Sequence, residues 1–193
     1  MADVYARFSE LAAAERPDAF RIEYKLRGSS LAVIAPHGGK IEAATSETCR
    51  AIAGAFRTYY LFEGMRPRHN RRLHITGHRF DEPIALEVVA SALVVLAVHG
   101  QDGRGHFINV GGLDFSLGDA LITQLKAAGH IAERRADRNM RGLDPKNICN
   151  RGSSGRGVQL EISRGLRETL LSDAHAMHGF VEAIDSTLIA QGL

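Results

Sequence analysis

Two short runs of apolar residues constrain the fold of this chain more than any other feature of its sequence. Leu31–Ala35 is apolar throughout, and Leu93–Val98 repeats the pattern further along the chain. A strand without polar side chains has to be covered on both faces, which is typical of the central strands of an α/β protein. We therefore expect an α/β fold with an open mixed, largely parallel sheet and helices on both faces.

The sequence around the first apolar run predicts a hairpin followed by one long helix. Phe20–Arg27 alternates apolar and polar residues, as a half-buried strand does, and the turn residues 28–30 separate it from Leu31–Ala35. These two strands are expected to pair as an N-terminal hairpin. A helix is predicted from Glu42 or Ala43 to Tyr60, and a short strand at Leu73–Thr76.

The rest of the chain alternates helical and extended patterns. The predicted elements are a helix from Pro83 to about Val89, a strand at Leu93–Val98, a strand at Phe107–Val110, a helix at Leu117–Ala128 ended by Gly129, a strand at Val158–Ile162, and one or two helices from about Gly165 to Ile189. No repeat, low-complexity tract or long linker divides the sequence. A single domain over residues 1–193 is therefore predicted.

Composition excludes several classes of protein. Apolar residues make up 45% of the 193 residues and charged residues 24%, so disordered and fibrous chains are excluded. The first ten residues lack a signal-peptide pattern, and the longest apolar run, Val88–Val98, is too short to span a membrane. We expect a cytoplasmic monomer without membrane contact. Cys49 and Cys149 form no metal-binding CxxC pair and are expected to be buried thiols.

Arginine dominates the cations, although the net charge is only +2. A GC-rich genome would produce this bias without functional meaning, whereas arginine forks would suit an anionic substrate because they bind carboxylates and phosphates bidentately. Two arginine clusters could each form a binding patch or a solvated face, and the sequence leaves this open. The clusters are Arg66, Arg68, Arg71 and Arg72, and Arg134, Arg135, Arg138 and Arg141.

Polar residues stand where the apolar strands end. His37 follows Leu31–Pro36, His99 follows Leu93–Val98, and each is followed by glycine, which leaves room for a ligand beside the imidazole. The carboxyl ends of strands in an open α/β sheet face the ligand crevice. Two histidines with Glu42, which lies five residues after His37, would make a catalytic zinc set with one open position. Glu42 could instead be a first-turn acid favoured by the helix dipole, and Glu47 competes for either role.

Glu161 lies within the strand Val158–Ile162 and is a candidate general base, although it could also be an ion-pair partner in the sheet. The sequence contains no HExxH, Walker A loop or GxSxG motif, so several common alternatives are excluded. Asn150 and Arg151 lie in a predicted loop. This pair would suit the carboxylate of a substrate or form an ordinary turn.

An ordered set of motifs runs along the chain. The motifs are His37-Gly38-Gly39-Lys40-Ile41-Glu42 followed by Thr45-Ser46-Glu47, then Val98-His99-Gly100, Asn147-Ile148-Cys149-Asn150-Arg151-Gly152 and Gly157-Val158-Gln159-Leu160-Glu161-Ile162-Ser163. Taken together, they resemble the poly-γ-glutamate hydrolase family, which is found in phages and in prophage regions of bacterial genomes. The resemblance extends from about Leu31 to Leu170.

The resemblance implies a zinc carboxypeptidase-like fold with one Zn²⁺ per chain. The implied ligands are His37, Glu42 and His99, with Glu161 as the general base. The Asn150-Arg151 pair would hold a substrate carboxylate, although its place in the chain differs from that of the similar pair in carboxypeptidases. Arg104 and Arg164 are further substrate-binding candidates because they lie close in sequence to these motifs.

The function expected from these features is zinc-dependent hydrolysis of the γ-glutamyl amide bonds of poly-γ-glutamate, an anionic polymer. Two alternatives stay open: the same chemistry on small N-acyl amino acids, and non-catalytic binding of a polyanion or nucleic acid. The arginine-rich stretch Glu63–Arg79 lacks an aromatic residue that could stack on a base, and no nucleic-acid-binding motif is present. A nucleic-acid partner is therefore not expected.

Overall fold

The computed structural model describes residues 3–134 and 141–193. The strands are β1 (Phe20–Lys25), β2 (Leu31–Gly39), β3 (Thr58–Gly64), β4 (Val94–Gln101), β5 (Phe107–Gly111), β6 (Ile131–Arg134) and β7 (Val158–Ser163). The α-helices are α1 (Phe8–Ala14), α2 (Thr45–Ala53), α3 (Pro83–Ala90), α4 (Phe115–Ala127), α5 (Arg164–Ser172) and α6 (Ala174–Ala190).

The seven strands of this part of the chain form one sheet in the order β1-β3-β2-β4-β7-β5-β6. The four adjacent strands β3, β2, β4 and β7 are parallel to one another, as are β5 and β6, whereas β1–β3 and β7–β5 are antiparallel pairs. The open mixed, largely parallel sheet is therefore confirmed. The carboxyl ends of the four adjacent parallel strands meet at the same edge of the sheet, where ligands bind in such folds.

Helices cover both faces of the sheet, as expected, and β2 is therefore buried on both faces. Leu31, Val33 and Ala35 pack with residues of α2, α4, α5 and α6 in one core. Ala32 and Ile34 point to the other face and pack with residues of α1 and α3. All five side chains are fully buried, and each large one contributes roughly 1.5–3 kcal/mol to folding.

The predicted N-terminal hairpin is wrong. Residues of β1 pair antiparallel with β3, while β2 lies between β3 and β4. Strand β2 is apolar on both faces, which is typical of a central strand, and its neighbours are the parallel strands β3 and β4. The segment between β1 and β2 instead binds the start of β3, because Arg27 and Ser29 both hydrogen-bond Thr58.

The long helix predicted to reach Tyr60 is also wrong in its second half. Helix α2 ends at Ala53, and Gly54 caps it with a positive φ of 56°. The β-branched and aromatic residues of 58–62 then form β3, because such side chains fit a pleated, buried surface. The strand predicted at Leu73–Thr76 is a 3-10 turn over Asn70–Leu73 followed by irregular backbone. Neither helix α1 nor strand β6 is predicted from the sequence.

The remaining elements agree with the sequence to within a few residues. Pro83 opens α3, whose first amides are capped by the Glu82 carboxylate, and Gly129 follows α4 with a φ of 87°. Cys49 and Cys149 are buried free thiols, as predicted. In the described part of the chain, no helix combines the length and the apolar character needed to cross a membrane. The single domain, the monomer and the cytoplasmic location stay predictions.

Candidate active site

The end of β2 places His37 and Glu42 beside each other through a tight turn. The pairing of β2 with β3 shifts register between Ala35 and Gly38, and the Glu42 amide donates to the His37 carbonyl at 2.9 Å. A Cβ on Gly38 would collide with Ser46 Oγ and lie 3.1 Å from the Phe62 carbonyl. Only glycine fits this close approach. The turn therefore folds the carboxylate back over the imidazole.

His99 and Glu161 reach the same edge from the next two strands. The ladder between β4 and β7 pairs His99 with Glu161, so their side chains leave the same face of the sheet. The Gly100 amide donates to Glu42 Oε2 at 2.7 Å, which ties the turn after β2 to the end of β4. Gln159 donates to Glu161 Oε1 at 3.1 Å. Three adjacent strands thus bring the four predicted residues together.

His37, Glu42 and His99 are the one group of potential metal ligands in the described residues that converges on a point. The Nδ1 atoms of the two histidines are 3.1 Å apart. Glu42 Oε2 lies 3.4 Å from His37 Nδ1 and 3.9 Å from His99 Nδ1. Tetrahedral zinc with ligands at 2.0–2.1 Å requires ligand atoms about 3.3 Å apart. Glu47 is exposed in the first turn of α2 and belongs to no such group, so of its two predicted roles it takes that of the first-turn acid.

Hydrogen bonding leaves the correct nitrogen of His37 available to a metal. The Ile75 carbonyl can only accept, so His37 donates its Nε2–H there at 2.8 Å, and the Nδ1 lone pair of the neutral ring faces His99. A cation between the two Nδ1 atoms and a Glu42 oxygen would satisfy all three donors. The residues present therefore fit a zinc ion.

Burial and neighbouring charges shift the pKa values of His37, Glu42 and His99 differently. Burial would raise the pKa of Glu42, but the neighbouring histidines and the Gly100 amide lower it to about 2. Burial lowers the pKa of His99 to about 3, and the nearby His37 adds to this. Burial alone would also lower the pKa of His37, but the charge and hydrogen bond of Glu42 raise it above its ordinary value. Glu42 and His99 are thus ready to bind a cation at neutral pH.

His74 is a site residue that the sequence analysis missed. Its ring lies over His37 with centroids 4.0 Å apart, and its Nε2 is 3.9 Å from Glu42 Oε1. Asp3 bonds His74 Nδ1 at 2.7 Å and also accepts from the amide and hydroxyl of Thr76. No sequence signal connects Asp3 with His74, because the two residues are far apart in the chain and belong to no common motif.

These residues line a cavity of about 1270 Å³ with three arginines at its walls. Arg71 is half-exposed, with Nη1 3.5 Å from Glu42 Oε1. Arg164 is exposed and pairs with Glu168 at 2.7 Å. Arg167 is buried, and its guanidinium donates to the backbone carbonyls of residues 43, 101 and 162, so it braces the loops around the metal ligands.

The two arginine clusters contribute unequally to this cavity. In the first cluster, Arg66 and Arg72 bind Glu15 outside the cavity, and Arg71 is the member that lines it. In the second cluster, Arg134 binds Asp119 on the surface, and Arg135 and Arg138 lie outside the described residues.

Asn150 and Arg151 lie apart from the metal-ligand cavity. The Asn150 side chain is buried, accepts from the Leu113 amide, and donates to the carbonyls of Gly142 and Asp144. Neither it nor the exposed Arg151 is among the described residues that line the cavity. Their substrate-binding role stays a prediction, as does that of Arg104, which lines a separate cavity.

Comparison with known proteins gives a consistent result. Residues 5–183 match the family model described as poly-gamma-glutamate hydrolase. A bacteriophage poly-gamma-glutamate hydrolase structure superposes with a TM-score of 0.93 at 32% identity, covering 98% of both chains, and a zinc-free structure of YndL gives 0.93 at 34%, covering 100% of both. The UPF0714 protein YmaC of Bacillus subtilis (strain 168) is 38% identical over 89% of this chain and 73% of its own.

Proposed function

The chain belongs to the poly-γ-glutamate hydrolase family, and on that premise we propose that it is a zinc-dependent amidase that hydrolyses the γ-glutamyl amide bonds of poly-γ-glutamate. The observation that supports this most is the convergence of His37, Glu42 and His99 at strand ends, with Glu161 paired to His99 in the sheet. One Zn²⁺ per chain would be held by the first three residues.

A zinc ion in this site would polarise the scissile carbonyl and would lower the pKa of the attacking water to near neutral, which makes that water a better nucleophile. Backbone groups next to the metal ligands hold the side chains of His37 and Glu42 in place. The Ile75 carbonyl orients the His37 ring, and the Gly100 amide fixes one Glu42 oxygen. Such outer partners set the direction of the ligand lone pairs and thereby support metal affinity.

Glu161 is proposed as the general base. Its side chain is 9% exposed, lines the cavity and shares a sheet face with His99. In the proposed reaction it takes the proton of the attacking water and later delivers that proton to the amine nitrogen that leaves. The hydrogen bond from Gln159 orients one oxygen of this carboxylate.

Arg71 and Arg164 are proposed to bind the substrate. Each γ-linked glutamate unit keeps a free α-carboxylate, so the polymer is a polyanion, and arginine forks bind and orient carboxylates bidentately. Both residues line the cavity, and more than half of each side chain is exposed to solvent. The cavity volume of about 1270 Å³ exceeds the range of roughly 300–1000 Å³ usual for small-molecule sites, which favours a polymer over small N-acyl amino acids.

The experiment that tests the proposal follows polymer size. Purified protein with one zinc per chain is incubated with poly-γ-glutamate, with and without a chelator, and chain length is measured by size-exclusion chromatography. We expect shortening that the chelator stops and that added zinc, but not magnesium, restores, because nitrogen ligands favour zinc. If zinc-loaded protein leaves the polymer intact, the substrate assignment is wrong. Shortening that resists complete zinc removal would contradict the metal mechanism.

A further inference from the structure

A second cavity adjoins the metal-ligand cavity at the start of α5. It has a volume of about 510 Å³ and is lined by Arg104, His106, Arg164, Gly165, Glu168, Thr169 and Ser172. Arg164 and Glu168 line both cavities, so the two cavities adjoin at these side chains, and together they are called the groove. All lining residues of the second cavity except Gly165 carry polar or charged side chains, which favours a charged ligand over an apolar one.

The charges of this second cavity favour an anion. The Arg104 guanidinium has no hydrogen-bond or ion-pair partner within residues 3–134 and 141–193. The carboxylate that faces the cavity, Glu168, is paired with Arg164. Both members of that pair are about two-thirds exposed, and exposed ion pairs are held weakly, so an incoming carboxylate can recruit Arg164. His106 bonds Thr169 on the opposite wall.

The sheet topology places this cavity on one side of the metal ligands. Arg71 lies in the segment after β3, His37 and His99 lie at the ends of β2 and β4, and Arg164 follows β7. These strands are neighbours in the order β3-β2-β4-β7 and are parallel. Arginines therefore flank the metal ligands on both sides, and the second cavity extends the groove on the β7 side.

We propose that the second cavity is a remote subsite that binds the free α-carboxylate of a γ-glutamyl unit beyond those at the scissile bond, with Arg104 as its main ligand and Arg164 as the residue shared with the metal-ligand cavity. The proposal rests on the proposed function. It makes chain length a determinant of affinity, because only a chain that reaches past Arg164 can contact Arg104.

Two substitutions that are expected to change the polymer KM in opposite directions test the subsite. Arg104→Ala removes its unpaired cation, and Glu168→Gln frees Arg164 from its partner. Arg156→Ala is the matched control, since Arg156 is exposed and lines neither cavity. The kinetic constants are measured on long poly-γ-glutamate and on the shortest γ-glutamyl oligomer that the wild-type protein cleaves.

For Arg104→Ala we expect a rise in the polymer KM of about 3- to 10-fold with kcat unchanged, the loss expected for one charge-assisted contact at a partly exposed site. Glu168→Gln should lower the polymer KM. Glu168→Gln should lower the KM of the short oligomer as well, because Arg164 also lines the metal-ligand cavity. Arg104→Ala should leave the KM of the short oligomer unchanged, and Arg156→Ala should change nothing. An equal effect of Arg104→Ala on polymer and oligomer, or a polymer KM for Arg104→Ala equal to that of Arg156→Ala, would overturn the subsite.

A direct binding measurement tests the subsite independently of the proposed function. Polymer binding is measured by isothermal titration calorimetry on zinc-loaded protein carrying Glu161→Gln, alone and combined with each of the three substitutions. Absence of cleavage by the wild-type protein would reject the proposed function, yet weaker polymer binding specific to Arg104→Ala would still support the subsite. Polymer binding that is insensitive to Arg104→Ala would reject it.

Discussion

At the scale of single residues, the site depends on where protons and lone pairs lie. The sequence motifs identified His37, Glu42 and His99 because each stands at a strand end or just after it, where topology alone brings groups together. His74 and Asp3 could not be predicted in this way. Their place is set by an irregular segment whose path depends on hydrogen bonds such as that between Asp3 and Thr76.

The opposite pKa shifts of the two histidines predict how many protons zinc displaces. The raised pKa of His37 means that this residue keeps a proton at pH 6 in the zinc-free protein, whereas His99, with a pKa of about 3, is already neutral. Zinc binds neutral imidazole, so binding at pH 6 should release close to one proton per zinc. The share of this release that comes from His37 should fall toward zero as the pH rises through the pKa of His37.

Calorimetric titration of zinc in buffers with different ionisation enthalpies measures this release. An apparent binding enthalpy for the wild-type protein that does not depend on the buffer at pH 6 would contradict the assigned protonation states.

At the scale of secondary-structure elements, local pattern predicted the type of most elements but not the pairing of strands. Leu93–Val98 is predicted correctly because a buried central strand leaves a continuous apolar signal, and Val158–Ile162 because its apolar residues alternate with polar ones. Residues 58–60 are predicted to be helical because their apolar spacing suits either structure over so short a length. The choice between them is made by tertiary context, since β3 fills the gap between β1 and β2.

The turn between β2 and α2 gives a test at this scale. Gly38→Ala places a methyl group against Ser46 Oγ and the Phe62 carbonyl, and we expect it to lower the free energy of unfolding by about 1–3 kcal/mol through overpacking. Gly179→Ala on α6 is the matched control. No heavy atom within 4 Å would meet its Cβ, so it should be neutral or raise that free energy by up to about 1 kcal/mol.

Urea denaturation of the zinc-free proteins measures both changes. We also expect Gly38→Ala to weaken zinc binding, because the collision displaces the turn that carries Glu42, whereas Gly179→Ala should not. A Gly38→Ala protein with wild-type stability and zinc affinity would show that this turn does not position the ligand.

At the scale of the whole molecule, the sheet order explains why residues far apart in sequence act together. Metal ligands come from β2 and β4, the candidate base from β7, and arginines from segments after β3 and β7, all at the carboxyl edge of four neighbouring parallel strands. The sequence predicted a parallel sheet with helices on both faces, and the resemblance to the family is confirmed. The groove across this edge could not be predicted, because strand order is set by packing across the whole sheet.

The central claim is that one set of residues holds zinc while Glu161 moves the proton. The most direct measurement determines zinc content per chain and turnover of poly-γ-glutamate together, in the wild-type protein, His99→Ala, Glu161→Gln and the exposed control Glu182→Gln on α6. We predict that His99→Ala loses zinc and activity, and that Glu182→Gln keeps both. Glu161→Gln should keep about one zinc and lose roughly 10²- to 10⁴-fold in turnover, as expected for loss of a general base. A zinc-loaded Glu161→Gln protein with wild-type turnover would contradict the account.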